Sequence, residues 1–217
     1  MSAAEPARLD RLLATLGQTV QDRRVLEAIS LVPRPLFVPG DLQWRAWENV
    51  ALPIGSGQTI SQPLVVARML ELLALDGSER VLDVGTGSGY HAALLAHLGG
   101  AVISVERHAE LSRQAAAALA AAEIENVELV VGDGSMGLPE RGPFDAINVA
   151  AAGSLEALRG LSDQLSANGR LVAPLADDPW RPESQRLLLV RRGPEGVTAE
   201  RWEPVRFVPL VSGPQPG

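Results

Sequence analysis

The sequence predicts an α/β protein: a doubly wound, mostly parallel sheet with an antiparallel C-terminal strand, covered at its N-terminal end by helices and loop. Three observations carry this. After Gly77, short β-branched runs alternate with alanine-rich stretches of helical period, and that alternation implies parallel crossovers with helices on both sheet faces. A glycine-rich turn, Gly85-Thr86-Gly87-Ser88-Gly89, joins the first such strand to its helix. The last forty residues change to strand-like segments broken by Gly193–Gly196, as an antiparallel finish requires.

Two short amphipathic helices are expected first, over 8–16 and 22–31, with Asp22 as cap and Pro33 as stop. From Pro33 to Ser61 the text turns to proline, glycine and aromatic residues without clear period. Long irregular segments in compact domains are usually functional, so an active-site wall is expected there. Helix returns over 62–75, with Val65, Val66, Met69, Leu70, Leu72 and Leu73 on its apolar face and Pro63 acceptable in the first turn. Strands are expected at 80–84, 101–106, 127–131, 144–150 and 170–175, with helices at 91–98, 109–122 and 155–165 between them. The tail reads as strands at 185–192, 197–203 and 205–211. All 217 residues are expected to form one domain: a cover and substrate loop over 1–61, a cofactor core over 62–211 and a tail over 212–217.

Composition removes several function classes. With 46% hydrophobic and 21% charged residues the chain can bury a core and is not disordered. No apolar run approaches the roughly 20 residues of a bilayer span, and the N-terminus lacks a signal-peptide core, so a soluble cytoplasmic protein is expected. A formal charge of -7 opposes nucleic acid and anionic membranes as partners. Without cysteine there is no thiolate nucleophile, and without lysine no Schiff base or Walker-type phosphate lysine. His91, His97 and His108 fall on expected helices without partnered ligand spacing, so no metal is expected.

The glycine turn reads as a cofactor cradle, since glycines admit positive φ and the helix behind them offers free N–H groups. Its spacing alone does not separate nicotinamide from other adenosine cofactors. Charge does: Asp83 on the strand end, with no basic residue near it in sequence, repels a pyrophosphate and welcomes an ammonium and a sulfonium, which points to S-adenosylmethionine. Glu106 ends the next strand, where a carboxylate can accept from both ribose hydroxyls, and Asp133 follows the third, placed to approach the adenine edge. The candidate cofactor site is Asp83, Gly85, Thr86, Gly87, Gly89, Glu106, Asp133 and Gly134. This stretch resembles class I S-adenosylmethionine-dependent methyltransferases, which have a Rossmann-like fold, and Phe144-Asp145-Ala146-Ile147 resembles that family's fourth strand.

A narrower resemblance precedes the cradle. Leu52-Pro53-Ile54-Gly55-Ser56-Gly57-Gln58-Thr59-Ile60-Ser61-Gln62-Pro63 resembles the signature loop of the protein-L-isoaspartate O-methyltransferase family. It is accompanied by Val32-Pro33-Arg34, Phe37-Val38-Pro39, Ala46-Trp47-Glu48-Asn49 and Arg206-Phe207-Val208-Pro209-Leu210. The resemblance implies methylation of the free α-carboxylate of isoaspartyl residues in damaged proteins, followed by closure to succinimide and repair. It also implies a substrate loop of Ile54, Gly55, Gln58, Thr59, Ile60 and Ser61, with Thr59 and Ser61 as the catalytic hydroxyls. Ser61 can equally cap the helix that follows, and the two roles are compatible. Arg34, Trp44 and Trp47 can shape a peptide site or simply pack. Isoaspartyl proteins and peptides are the expected partners, and a monomer is expected.

The chain departs from the family pattern in two places. Ala150-Ala151-Ala152-Gly153 stands where the family has a threonine–alanine–alanine–proline run, and Asn148 replaces an apolar residue. These changes leave open a methyltransferase for one dedicated aspartate-containing peptide, or a cofactor-binding adaptor without turnover.

Overall fold

The computed structural model describes residues 5–176 and 184–213. Residues 1–4 of the expected cover and 214–217 of the expected tail lie outside them. Helices α1 (Glu5–Leu16) and α2 (Arg23–Leu31) open the chain. Asp22 caps α2 as expected, accepting from the Arg24 amide at 2.9 Å.

The segment expected to be irregular holds two 3₁₀ turns and a hairpin of β1 (Leu52–Gly55) and β2 (Gln58–Ile60), with Leu52 opposite Ile60 and Pro53 opposite Thr59. Ser56 and Gly57 both take positive φ at its tip, as the primed two-residue turns that suit strand twist require. Four- and three-residue strands carry too few alternations to stand out from a proline-rich text, which is why the hairpin is not legible by period. Helix α3 (Pro63–Leu73) follows.

The core sheet then builds as β3 (Arg80–Val84), α4 (Tyr90–Leu98), β4 (Ala101–Glu106), α5 (Ala109–Ala121), β5 (Val127–Val131), β6 (Phe144–Val149), α6 (Leu155–Ser162), β7 (Leu165–Ala176), β8 (Gln185–Gly193) and β9 (Gly196–Val205). Its order is β5-β4-β3-β6-β7-β8-β9; β3 to β7 pair in parallel, β7 with β8 and β8 with β9 antiparallel. Successive residues face opposite sides, so Val81, Val102 and Ala146 join the core under α2, α3 and α4, while Leu82, Ile103 and Ile147 join the core under α6. This is the doubly wound arrangement the sequence predicts.

Two expectations fail at the C-terminal end. α6 stops at Ser162 and β7 starts at Leu165, because Leu165 already pairs with Phe144 across an irregular register and the Asn168-Gly169 break is absorbed inside the strand. The strand expected over 197–203 runs on as β9 through Pro204 to Val205, and the one expected over 205–211 does not form. An edge strand tolerates a residue without an N–H donor. Beyond Val205 the chain crosses the sheet ends: Ala152 donates to the Val208 carbonyl and Leu210 to the Ala152 carbonyl, each at 2.8 Å.

Candidate active site

The reversal of strand order between β3 and β6 opens a crevice at the carboxyl ends of β3 and β4, the place where open α/β sheets bind ligands. A cleft partly open to solvent occupies it. One wall is Gln58, Thr59, Ile60 and Ser61 from the hairpin; the floor is Gly85, Thr86 and Gly87; Glu106, Arg107 and His108 form a second wall with Gly134 and Ser135. The C-terminal tail, Val208 to Val211, completes it.

The turn after β3 is held from both sides. The amide of Gly85 donates to the Val105 carbonyl at 2.9 Å, and that of Gly89 to the Thr86 carbonyl at 2.8 Å. Gly89 caps α4 at φ 86°, and a Cβ there would come within 3.1 Å of the Ala115 Cβ, so both backbone and packing demand glycine. Glu106 is nearly buried; its Oε2 accepts from the Gly87 amide and its Oε1 from the His108 amide, both at 2.9 Å. Each carboxylate oxygen keeps a second lone-pair direction, so Glu106 can also accept from two vicinal hydroxyls in the cleft.

Asp83 is placed differently from its expected role. It is fully buried beneath the turn and outside the cleft wall, accepting from Ser104 Oγ and Asn148 Nδ2, each at 2.7 Å. Thr86 Oγ1 extends this chain to Ser104 Oγ at 2.6 Å, and Asn148 Nδ2 reaches His91 Nδ1 at 3.3 Å. Burial pushes the Asp83 carboxyl up to about 6 and the His91 imidazole down to about 3. Asp83 thus braces the cradle from below instead of facing a ligand. Asn148, read as a departure, is its hydrogen-bond donor.

Asp133 also turns from the cleft: its Oδ1 accepts from the Ser135 amide at 2.9 Å and its Oδ2 from the Gly213 amide at 2.5 Å. Burial alone would raise this carboxyl, but those donors and the nearby Arg107 guanidinium outweigh it and hold the pKa below the usual value. Gly134 does line the cleft. Ile54 and Gly55 line a neighbouring hollow with Phe37 and Ser88, so the substrate loop as read divides between two cavities.

Ser61 is not a cap. Gln62 occupies the N-cap position of α3 without a side-chain bond, and it is Asn49 Oδ1 that receives the Leu64 amide at 3.0 Å. His108 sits at the N-cap of α5 and not within a helix. Sequence reasoning missed Arg107, which puts a basic residue in the cleft wall after all, and the tail residues Val208 to Val211. Arg107 was legible only as the neighbour of Glu106; the tail was quoted for its motif without a place in the site. Trp44 and Trp47 line a separate surface groove with Arg8 and Asn49.

The model of the protein-L-isoaspartate(D-aspartate) O-methyltransferase (PCMT) family matches residues 8–215. The chain belongs to this family. A protein-L-isoaspartate O-methyltransferase of Aeromonas salmonicida is 49% identical over 206 residues, covering 94% of this chain and 98% of the relative. One of Cronobacter sakazakii is 50% identical over 207 residues, covering 95% and 97%. Among solved structures, a PCMT from Plasmodium falciparum in complex with S-adenosyl-L-homocysteine is 26% identical with a TM-score of 0.76, over 93% of this chain and 97% of that one. In this PCMT-family chain, one cleft brings together the glycine turn, Glu106 beside it and the Thr59–Ser61 segment.

Proposed function

We propose that this chain transfers the methyl group of S-adenosylmethionine to the free α-carboxylate of L-isoaspartyl residues in damaged proteins, starting their repair through succinimide. The carrying observation is that one cleft joins the Thr59–Ser61 loop to the Gly85–Gly87 cradle and Glu106. The donor supplies an electrophilic methyl on a sulfonium. The residues fit such a group: Gly85 and Gly87 carry no side chain, Thr86 turns its hydroxyl away to Ser104, and Glu106 retains acceptor capacity for a ribose diol.

The chain's own work is placement. The substrate carboxylate ionises near pH 4 and needs no base, so alignment is the main contribution available, and effective molarities of about 10⁵ M or more show its scale. In this reading Ser61 and Thr59 donate to the carboxylate from one wall, while Glu106, Gly85, Thr86 and Gly87 fix the donor against the other. Gly134 bounds the adenine end. Asp83, Gly89 and Asp133 act indirectly, by holding the turn, the helix start and the tail.

The expected division of labour is a cover and substrate loop over 1–61 and a cofactor core over 62–211. We read the protein as a cytoplasmic monomer without nucleic-acid or membrane partners; its balance of 26 Asp and Glu against 19 Lys and Arg supports the exclusion of those partners. Transfer of labelled methyl from S-adenosylmethionine to an isoaspartyl peptide tests the proposal. Calorimetry showing tight NAD binding and none of S-adenosylhomocysteine would contradict it.

A further inference from the structure

Arg34 is 0% exposed, yet no described carboxylate pairs with it. Its Nε donates to the Ala46 carbonyl at 2.8 Å and its Nη2 to the Ser61 carbonyl at 2.9 Å; Nη1 has no partner. The guanidinium lies 4.9 Å from the centre of the Tyr90 ring. Ser61 and Tyr90 both line the cleft, so this cation stands one residue layer behind the catalytic wall. Burial lowers its pKa to about 10, opposed only by Tyr90, which leaves it protonated at neutral pH.

A buried charge without a counterion is costly, and an anion arriving beside it offsets part of that cost. Here the Ser61 and Ala46 carbonyl oxygens are engaged by Arg34, so Ser61 is left to present its hydroxyl and not its carbonyl to an anion. We propose that Arg34 is a positioning residue for methyl transfer: it sets the Ser61 loop through its carbonyl and supplies the positive field that selects a carboxylate in the substrate position. Acting through the wall, it attracts the anion without a direct salt bridge, which would blunt the carboxylate as a nucleophile. A unit charge a layer away in partly screened surroundings is worth roughly tenfold or more in affinity. The inference rests on the isoaspartyl reading of the cleft.

The test compares an isoaspartyl peptide with its neutral twin bearing an α-carboxamide, as substrate KM against inhibitor Ki. The parent protein should prefer the acid by about tenfold or more. Arg34→Gln, which keeps an N–H donor, should bring that ratio close to one while S-adenosylhomocysteine affinity stays within about twofold. Arg34→Lys, which keeps the charge, should retain most of the ratio even if kcat falls. A merely structural arginine would lower both affinities together and leave the ratio alone, and that result overturns the proposal. So does a ratio near one in the parent, whatever the variants do, or a lost ratio in folded Arg34→Lys. If the parent methylates no isoaspartyl peptide, it is the functional reading that fails instead.

Discussion

The carboxylate of Glu106 accepts the backbone amide of Gly87 at 2.9 Å, so the acid that ends β4 also fixes the glycine turn that ends β3. The two parts of the cofactor wall are therefore one unit. A ligand that hydrogen-bonds Glu106 meets a carboxylate already oriented by the amides of Gly87 and His108, and little ordering entropy is left to lose.

Glu106→Ala should weaken S-adenosylhomocysteine binding by about 1.5–3 kcal/mol, the scale of hydrogen bonds to a charged group. It should also loosen the turn, so thermal stability without cofactor falls as well. Calorimetry and thermal melts measure both, and unchanged affinity would remove Glu106 from the cofactor site.

Asn49 and Ser61 divide two jobs that the sequence left joined in one residue. Asn49→Ala removes the acceptor for the Leu64 amide and should cost about 1 kcal/mol of stability. Ser61→Ala removes no cap, so urea unfolding should shift by less than about 0.5 kcal/mol. Methyl transfer should nevertheless collapse in Ser61→Ala while cofactor affinity holds. Full turnover in that variant would return Ser61 to a packing role.

Asp83 and His91 make opposite pH contributions. The Asp83 carboxyl moves from 3.8 to about 6 on folding, so the folded state holds the extra proton between those values; that stability is present in acid and lost as pH rises through about 6. The His91 imidazole moves from 6.5 to about 3, so its contribution is present near neutrality and lost as pH falls. Between about pH 4 and 6 the two slopes offset each other. Asp83→Asn should uncover the histidine, giving stability that falls relative to the parent as pH drops below about 6, by at most about 1.4 kcal/mol per unit down to 3.8. His91→Gln should show the reverse slope. Parallel urea-midpoint profiles in all three proteins would exclude the coupling.

Gly89→Ala should destabilise without touching ligand, since φ 86° strains an L-residue and the new Cβ would meet Ala115 at 3.1 Å. A loss of about 1–3 kcal/mol in chemical unfolding is expected.

Regular period made most of the sheet legible. Val81 and Leu82, or Val102 and Ile103, send alternate side chains into opposite cores, so both faces take apolar residues and the strands read as short apolar runs between helices. What was not legible depends on partners distant in the chain. Asp83 and Glu106 look alike as acids at strand ends, but Ser104 and Asn148 enclose the first while the second stays in the cleft wall. Asp133 is turned by Gly213, eighty residues later. The short hairpin and the tail crossing at Ala152 likewise arise from tertiary contacts and not from local pattern. Ala152, inside the Ala150–Gly153 run, pins the tail that lines the cleft through its own backbone N–H and carbonyl.

In the proposed reaction the cleft fits a carboxylate on the α-carbon of a chain running through the side-chain carbonyl. Paired peptides of identical composition, one isoaspartyl and one aspartyl, separate this fit from general carboxylate binding when kcat/KM for methyl transfer is measured on several unrelated sequences. A displacement of about 1 Å from in-line geometry can cost on the order of 10²-fold, so each isoaspartyl peptide should be preferred by roughly that factor or more. Equal rates on the twins would contradict the account, and activity on one sequence alone would point to a dedicated peptide substrate.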